Sequence, residues 1–142
     1  KMKKILIINA NYYTAVSDRL VNSSKKVLKK NRFNVNILTV PGIFEIPIAI
    51  RRNINKFDAF IALGCVIKGK TPHFELISKA TFKSILEISI KYNKPIGNGI
   101  ITSFNLKQAK ERCGITKSNK SNKGLEAANA VMSILKNGPK KI

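Results

Sequence analysis

The order of apolar and polar residues along the chain predicts strands and helices in alternation. Short apolar runs rich in β-branched residues are typical of strands covered on both faces, whereas apolar residues three or four positions apart indicate amphipathic helices. The first pattern predicts strands at residues 4–10, 35–40, 60–67 and 96–102. The second predicts helices at residues 16–30, 46–53, 74–92, 106–112 and 123–136, with a polar linker at 116–121.

Individual residues mark where these elements begin or meet other parts of the molecule. Thr14 or a neighbour is expected to cap the first helix, and Asn105 the fourth. Pro47 belongs in a first helical turn, where a missing amide is tolerated. Two glycines in the fourth predicted strand, Gly97 and Gly99, indicate that something approaches its backbone closely.

The alternation of strands and helices predicts the fold class. Successive βαβ units are right-handed and build a parallel sheet with helices on both faces. We therefore expect a three-layer α/β fold around a four-stranded parallel sheet. The chain has 142 residues, 44% of them hydrophobic, which suits one domain spanning residues 1–142. In such sheets ligands bind beyond the carboxyl ends of the strands.

The loop after the third predicted strand carries the most specific chemistry. Residues 68–71 (Lys-Gly-Lys-Thr) offer a glycine, two cations, a hydroxyl and free amides just before a helix, which suits an anion. Pro72 fits the first helical turn and places His73, the only histidine, at the start of that helix. The simpler alternative is a surface histidine beside an ordinary basic turn, because the loop lacks the spacing of a nucleotide-binding P-loop.

Two other loops are expected at the same edge of the sheet. Tyr12 follows the first strand, and Phe44 and Glu45 follow the second. Flat apolar faces, a carboxylate and an anion-binding loop would accommodate a polar planar ring and a phosphorylated partner. No motif pairs His73 with a serine or cysteine nucleophile, which favours general acid–base catalysis and positioning. Tyr12 could instead be a core aromatic, and Glu45 a solvated turn carboxylate.

Charge and cysteine content limit the classes of partner. The formal net charge is +20, but only five of the 27 basic residues are arginine and the lysines are scattered along the sequence. We interpret them as a solvated surface and expect no nucleic-acid or membrane partner, leaving weak, salt-sensitive polyanion binding as the alternative.

No apolar run suits a membrane span or a signal peptide, so a cytoplasmic location is expected. Cys65 and Cys113 suit reduced, buried thiols, and a single histidine argues against a metal site.

Five motifs that cover nearly the whole chain resemble the lumazine synthase family, in the order typical of that family. The second of them is highly specific. They are Val40-Pro-Gly-Ile-Phe-Glu-Ile-Pro47, Ala62-Leu-Gly-Cys-Val-Ile-Lys-Gly-Lys-Thr-Pro-His-Phe74, Gly99-Ile-Ile-Thr102, Gln108-Ala-Lys-Glu-Arg-Cys-Gly114 and Asn122-Lys-Gly-Leu-Glu-Ala-Ala128.

The resemblance implies a flavodoxin-like fold and a transferase of riboflavin biosynthesis. Its reaction would condense 5-amino-6-(D-ribitylamino)uracil with 3,4-dihydroxy-2-butanone 4-phosphate to 6,7-dimethyl-8-ribityllumazine, releasing phosphate and water without a metal or organic cofactor. By position, His73 would be the proton shuttle and Tyr12 the ring-stacking aromatic. The phosphate would be held by Lys70, Thr71 and Arg112, assisted by Lys123. The pyrimidine and ribityl chain would be lined by Ile43, Phe44, Glu45, Cys65, Val66 and Ile67.

The resemblance also implies assembly. In the family the sites lie between adjacent subunits of a pentamer, so Asn98 and Arg112 would come from the neighbouring chain. A free pentamer is expected, because the family's N-terminal extension is missing, the linker between Arg112 and Lys123 is long, and the charge of +20 per chain opposes a closed shell.

The sequence departs from the family pattern in the expected ring pocket. Tyr12 and Tyr13 follow Asn11, where the family usually has Arg-Phe-Asn, and Asn98 replaces a common Phe. Lys70 stands where Glu or Ala is frequent and would strengthen the phosphate site. Two alternatives follow: a catalytically weakened relative that binds lumazine or flavin, and an electrostatic binder of nucleic acid.

Overall fold

Four parallel strands form one sheet in the order β2-β1-β3-β4. The computed structural model describes residues 1–115 and 122–142, so the predicted linker at 116–121 lies outside the described residues. The strands are β1 (Lys4–Ala10), β2 (Asn34–Val40), β3 (Ala59–Ile67) and β4 (Ile96–Ser103). The helices are α1 (Thr14–Lys30), α2 (Ile46–Arg52), α3 (His73–Tyr92), α4 (Leu106–Arg112) and α5 (Lys123–Lys136), with a 3₁₀ turn at Ile43–Glu45.

Every predicted strand and helix is confirmed within one or two residues at either end. Pro47 lies in the first turn of α2, and the Asn105 side chain caps α4 by accepting the Gln108 N–H at 2.9 Å. The predicted side-chain cap of α1 is wrong. The helix begins at Thr14 itself, the residue before it makes no side-chain cap bond, and the Thr14 hydroxyl donates to the Asn11 carbonyl instead (3.3 Å).

Helices cover both faces of the sheet, as the alternation predicts. On one face, called here the α1/α5 face, α1, α4 and α5 pack on Ile5, Ile7 and Leu63. On the other, the α2/α3 face, α2 and α3 pack on Ile8 and Phe60. Neighbouring residues of β1 and β3 therefore enter different cores, which explains apolar runs without polar alternation.

Helix α5 is the element that approaches the glycines of β4. A Cβ placed on Gly97 would overlap the Ala127 carbonyl, and one on Gly99 would lie 2.5 Å from Leu63 Cδ2 and 3.1 Å from the Lys123 carbonyl oxygen. Gly124 of α5 lies equally close to the Leu20 backbone of α1. The expectation of a close approach at β4 is thus confirmed, and the α1/α5 face is tightly packed.

The outer surface of α3 is apolar and exposed. Ile85 is buried and Phe82 is half-buried against the sheet, as the helical pattern predicts. Leu76, Leu86 and Ile90 share the apolar pattern but are exposed, Leu86 by 61%. The apolar stripe of α3 is therefore wider than the surface it buries within this chain.

The two cysteines are free and buried, which confirms the expectation of reduced thiols. Among the described residues, no helix is long and apolar enough to cross a membrane.

Candidate active site

The carboxyl ends of all four strands meet at one edge of the sheet, called here the carboxyl edge. The loops that follow Ala10, Val40 and Ile67 carry the three groups of residues selected from the sequence. The Lys68 N–H donates to the Ser103 carbonyl at 2.9 Å and ties the loop after β3 to the end of β4. The fold therefore brings these loops to one edge.

His73 is the first residue of α3, directly after Pro72, and its side chain is exposed. Lys70 and Thr71 in the preceding loop are also exposed. A Cβ placed on Gly69 would meet no other atom within 4 Å, so the surface above this loop is open. A histidine, a lysine and a hydroxyl thus border a space that is accessible to an anion.

Tyr12 lies at the same edge after β1 and is 75% exposed. The alternative role as a core aromatic is wrong for Tyr12, because Tyr13 packs against the core in its place. The two rings meet edge to face, with centroids 5.0 Å apart and an interplanar angle of 76°. Tyr13 thus supports the Tyr12 ring, whose exposed surface is available for stacking.

The 3₁₀ turn after β2 places its three residues in different surroundings. The Ile43 side chain is buried against Gly64, whereas Phe44 is 66% exposed. The Glu45 carboxylate accepts the Gly42 N–H at 3.0 Å, so it holds the turn and is not simply solvated. Phe44 and Glu45 therefore present a ring and an oriented carboxylate at the carboxyl edge.

A groove of about 370 Å³ runs from this turn along α3. Its lining does not include His73. Within it, Thr81 is only 1% exposed, and its hydroxyl has no hydrogen-bond partner among the described residues. The groove is lined by Phe44, Glu45, Pro47, Ile48, Ala80, Thr81 and Ser84.

The last residues of β3 alternate between the two cores. Cys65 is buried on the α1/α5 face, and Val66 and Ile67 are half-buried. Burial raises the pKa of the Cys65 thiol to about 12, and burial also raises the pKa of Cys113. Both thiols are therefore protonated near neutral pH and are poor nucleophiles.

Asn98, Arg112 and Lys123 do not join His73 within one chain. Asn98 pairs with Ala62 in the sheet, five residues before Ser103 and thus roughly 16 Å from the carboxyl end of β4. Arg112 ends α4 and Lys123 begins α5, both on the α1/α5 face, whereas His73 begins α3 on the other face. The Lys123 Nζ lies 3.9 Å from Glu126 Oε1.

The structure adds Phe104 to the carboxyl edge, a residue that the sequence analysis did not select, and places it beside Lys68 of the anion-binding loop. Phe104 directly follows β4 and is exposed, and the Lys68 Nζ lies 5.5 Å from the centre of its ring. The available signal was the same as for Tyr12, an aromatic residue directly after a predicted strand. Among the described residues, no group of three or more His, Cys, Asp or Glu side chains could hold a metal ion.

Comparisons with known proteins agree with this arrangement. A family model described as 6,7-dimethyl-8-ribityllumazine synthase matches residues 2–137. Proteins named 6,7-dimethyl-8-ribityllumazine synthase from Campylobacter curvus and Aliarcobacter butzleri are 41% and 38% identical over 138 residues, which cover 94% of this chain and 86% of each relative. One from Campylobacter jejuni subsp. doylei is 39% identical over 137 residues, 93% of this chain and 87% of the relative. The chain therefore belongs to the 6,7-dimethyl-8-ribityllumazine synthase family.

Proposed function

We propose that this chain condenses 5-amino-6-(D-ribitylamino)uracil with 3,4-dihydroxy-2-butanone 4-phosphate to give 6,7-dimethyl-8-ribityllumazine, in riboflavin biosynthesis. The observation that carries the proposal is the family match across residues 2–137, which includes the loop and histidine at the carboxyl edge. We further propose that residues 1–142 form one domain, that it acts in the cytoplasm, and that it uses no metal or organic cofactor.

The proposed roles are those that the family resemblance implies, and the surroundings of several side chains support them. The exposed His73 moves protons, and the exposed Tyr12 ring stacks on the pyrimidine. Phe44 and the oriented Glu45 border the ring, while Ile43, Cys65, Val66 and Ile67 line the pyrimidine and ribityl chain. The phosphate lies against Lys70, Thr71, Arg112 and Lys123.

The chemistry needs proton transfer and positioning more than a nucleophile. Joining an amine to a ketone, releasing phosphate and closing a ring each move protons between bound partners. Phosphate held by cations fixes the ketone beside the amine. The protonated thiol of Cys65 fits a mechanism without a covalent enzyme intermediate.

We propose that the complete site lies between neighbouring chains of a homopentamer. Two observations support this. Arg112 and Lys123 lie across the sheet from His73, so another chain would supply them. The exposed apolar surface of α3 would become buried in such an assembly.

The first test measures the fluorescent lumazine formed by the purified protein from its two substrates, against the spontaneous reaction. Saturable formation above that background is expected. His73→Ala should slow it by up to about 10², because acid–base help is lost. Lys26→Ala, an exposed change on α1, is the control and should retain the rate. An unchanged rate for His73→Ala would remove this histidine from the mechanism.

A mixing experiment tests the shared site. His73→Ala and Arg112→Ala chains, each nearly inactive alone, are unfolded together and refolded as mixed assemblies. If each site takes His73 from one chain and Arg112 from its neighbour, about a quarter of the sites regain both residues and activity returns in proportion. A site within one chain would give no recovery.

A second candidate function is favoured by Asn98, which replaces an apolar wall of the expected ring pocket and is exposed on β4. A weakened relative would bind lumazine or flavin without making product. Tight ligand binding together with formation no faster than background would support this function over the first.

A further inference from the structure

The edge of the sheet opposite the carboxyl edge gathers basic side chains from many elements. The amino ends of the strands lie there, and α1, α2 and α3 end there because each returns the chain to the start of the next strand. Helix α5 ends there too, since Lys123 lies near Gly99 and Val131 near Gly97. The basic residues of this amino edge are Lys1, Lys3, Lys4, Lys29, Lys30, Arg32, Arg51, Arg52, Lys56, Lys91, Lys94 and Lys136.

Two grooves at the amino edge are lined mainly by these cations. One, of about 420 Å³, includes Lys3, Arg32 and Lys136, and the other, of about 270 Å³, includes Lys4 and Lys56. Asp58 is the only acidic residue that lines either groove. Its carboxylate accepts the Lys4 backbone N–H at 2.7 Å, so it is already engaged.

The carboxyl ends of the helices explain why some of these basic residues gather here, but they do not neutralise the positive charge. Each helix carboxyl terminus bears about −0.5 of a charge, and cations in the last turn stabilise it. Four such termini contribute about −2 in total, far less than the positive charge of the basic residues gathered there. A strongly positive surface therefore remains, and such surfaces attract polyanions.

The kinds of residue at the amino edge indicate which polyanion fits. Lysine, a hydrated point charge, predominates over arginine, so contacts to phosphate are favoured over bidentate reading of bases. Phe33 is buried and Phe57 half-buried, which leaves neither ring free to stack on a base. Met2 is the only exposed large apolar residue in either groove, so little could insert into a lipid surface.

We propose that the amino edge binds a nucleic-acid strand through its phosphate backbone, without base recognition. The sequence analysis set such a partner aside because the lysines are scattered along the chain. The fold changes that expectation, since residues far apart in sequence meet at one edge. The proposal is independent of the catalytic one, because strands of seven to nine residues hold the two edges roughly 20 to 30 Å apart.

The test measures fluorescence anisotropy of a labelled oligouridine of about 20 nucleotides over a range of salt concentrations. The edge variant carries Lys3→Gln, Lys30→Gln and Lys56→Gln, all exposed positions at the amino edge. The matched control carries Lys26→Gln, Lys107→Gln and Lys110→Gln, which remove the same charge from α1 and α4, away from the exposed surface of α3. Lumazine formation by both variants reports on folding and assembly.

The wild-type protein should bind with an affinity that falls steeply with salt. In the edge variant, affinity at low salt should fall at least about tenfold, and the slope of log affinity against log salt should shrink by about 2, at 0.7 per lost phosphate contact. The control variant should bind nearly as the wild type does, and both should retain enzyme activity.

Three results would overturn the proposal. Equal weakening by the two variants would assign binding to net charge alone. Failure of the wild-type protein to bind the oligonucleotide at low salt would exclude a nucleic-acid strand as the partner. Tighter retention on phosphatidylserine vesicles than on the oligonucleotide, lost in the edge variant, would assign the edge to a membrane surface.

Discussion

The two faces of the sheet differ in how completely one chain covers them. On the α1/α5 face, backbones meet so closely that Gly97 and Gly124 have no room for a Cβ, and the Ser24 hydroxyl donates to the Gly124 carbonyl at 2.6 Å. On the α2/α3 face, Leu86 remains exposed, and the buried Thr81 hydroxyl is without a partner among the described residues.

This difference indicates which part of the molecule is complete in a single chain. Tight packing on the α1/α5 face stabilises the fold. The buried Asn9 side-chain oxygen, which the alternation along β1 places on that face, is without a hydrogen-bond partner among the described residues, as the Thr81 hydroxyl is on the other. Three exposed apolar residues on one helix, Leu76, Leu86 and Ile90 of α3, are a feature of a surface that a partner covers. His73 begins the helix of that second face, so catalysis and assembly are expected to depend on each other.

The largest expected effect comes from placing a charge on the exposed surface of α3. Leu86→Lys should leave the single chain folded, because this position faces solvent there, but it should prevent assembly, since burying an unpaired ammonium costs several kcal/mol. Light scattering should then report smaller particles, and lumazine formation should fall to near background. Asn22→Lys, which adds the same charge to the exposed side of α1, should change neither. Full-size, active Leu86→Lys particles would contradict the proposed interface.

A smaller effect is expected from overfilling the α1/α5 face. Gly97→Ala should lower the free energy of unfolding by about 2 to 3 kcal/mol, because the new methyl group meets the Ala127 carbonyl and Val131. Urea denaturation measures the change. Gly69→Ala is the matched control, since a Cβ there meets nothing within 4 Å, and it should be nearly neutral for stability. Equal losses of unfolding free energy in the two variants would show that the cost at Gly97 does not come from the lack of space for a methyl group.

Two hydroxyl deletions compare the faces at the level of one hydrogen bond. Ser24→Ala should cost about 1 to 2 kcal/mol, because a buried hydrogen bond to Gly124 is lost. Thr81→Val should cost less or stabilise the single chain, since the hydroxyl it removes is unpaired there. Urea denaturation of both variants in the Leu86→Lys background isolates the single chain. A larger cost for Thr81→Val would mean that its hydroxyl has a partner.

The smallest effect concerns Cys65 and appears only at alkaline pH. Burial raises the thiol pKa from 9.0 to about 12, so the folded protein holds this proton more tightly than the unfolded chain does. The resulting stability is fully present below pH 9 and is lost as pH rises toward 12, by about 1 kcal/mol at pH 10. Cys65→Ala should therefore show a flatter decline in unfolding free energy between pH 8 and 10. Parallel declines in the two proteins would contradict the assigned pKa.

The sequence predicts strands, helices and their order well, because local periodicity determines them. The glycines of β4 also predicted a close approach, since glycine weakens the interior of a strand and is expected there mainly where another part of the molecule needs the space. The side-chain cap of α1 was predicted wrongly because the helix begins at Thr14 itself, so Tyr13 occupies the capping position, and helix ends are uncertain by a residue or two from sequence.

The candidate site was less predictable than the fold. The residues of three loops could be assigned to one edge because parallel strands all end there. The separation of Arg112 from His73 depends on which face each helix covers, and the gathering of Lys3, Arg32 and Lys136 depends on the order of the strands. Neither is a local property of the sequence. The resemblance to the family implied the first, and the second came only from the structure.

The central position of β1 in the sheet has a consequence for how the chain is synthesised. β1 pairs with β2 on one side and with β3 on the other, and β3 is made much later. After β1, α1 and β2 have left the ribosome and before β3 has paired, a β1-α1-β2 unit would display a bare apolar strand edge. The nascent chain is therefore most prone to aggregation in that interval, and the arrival of β3 ends it.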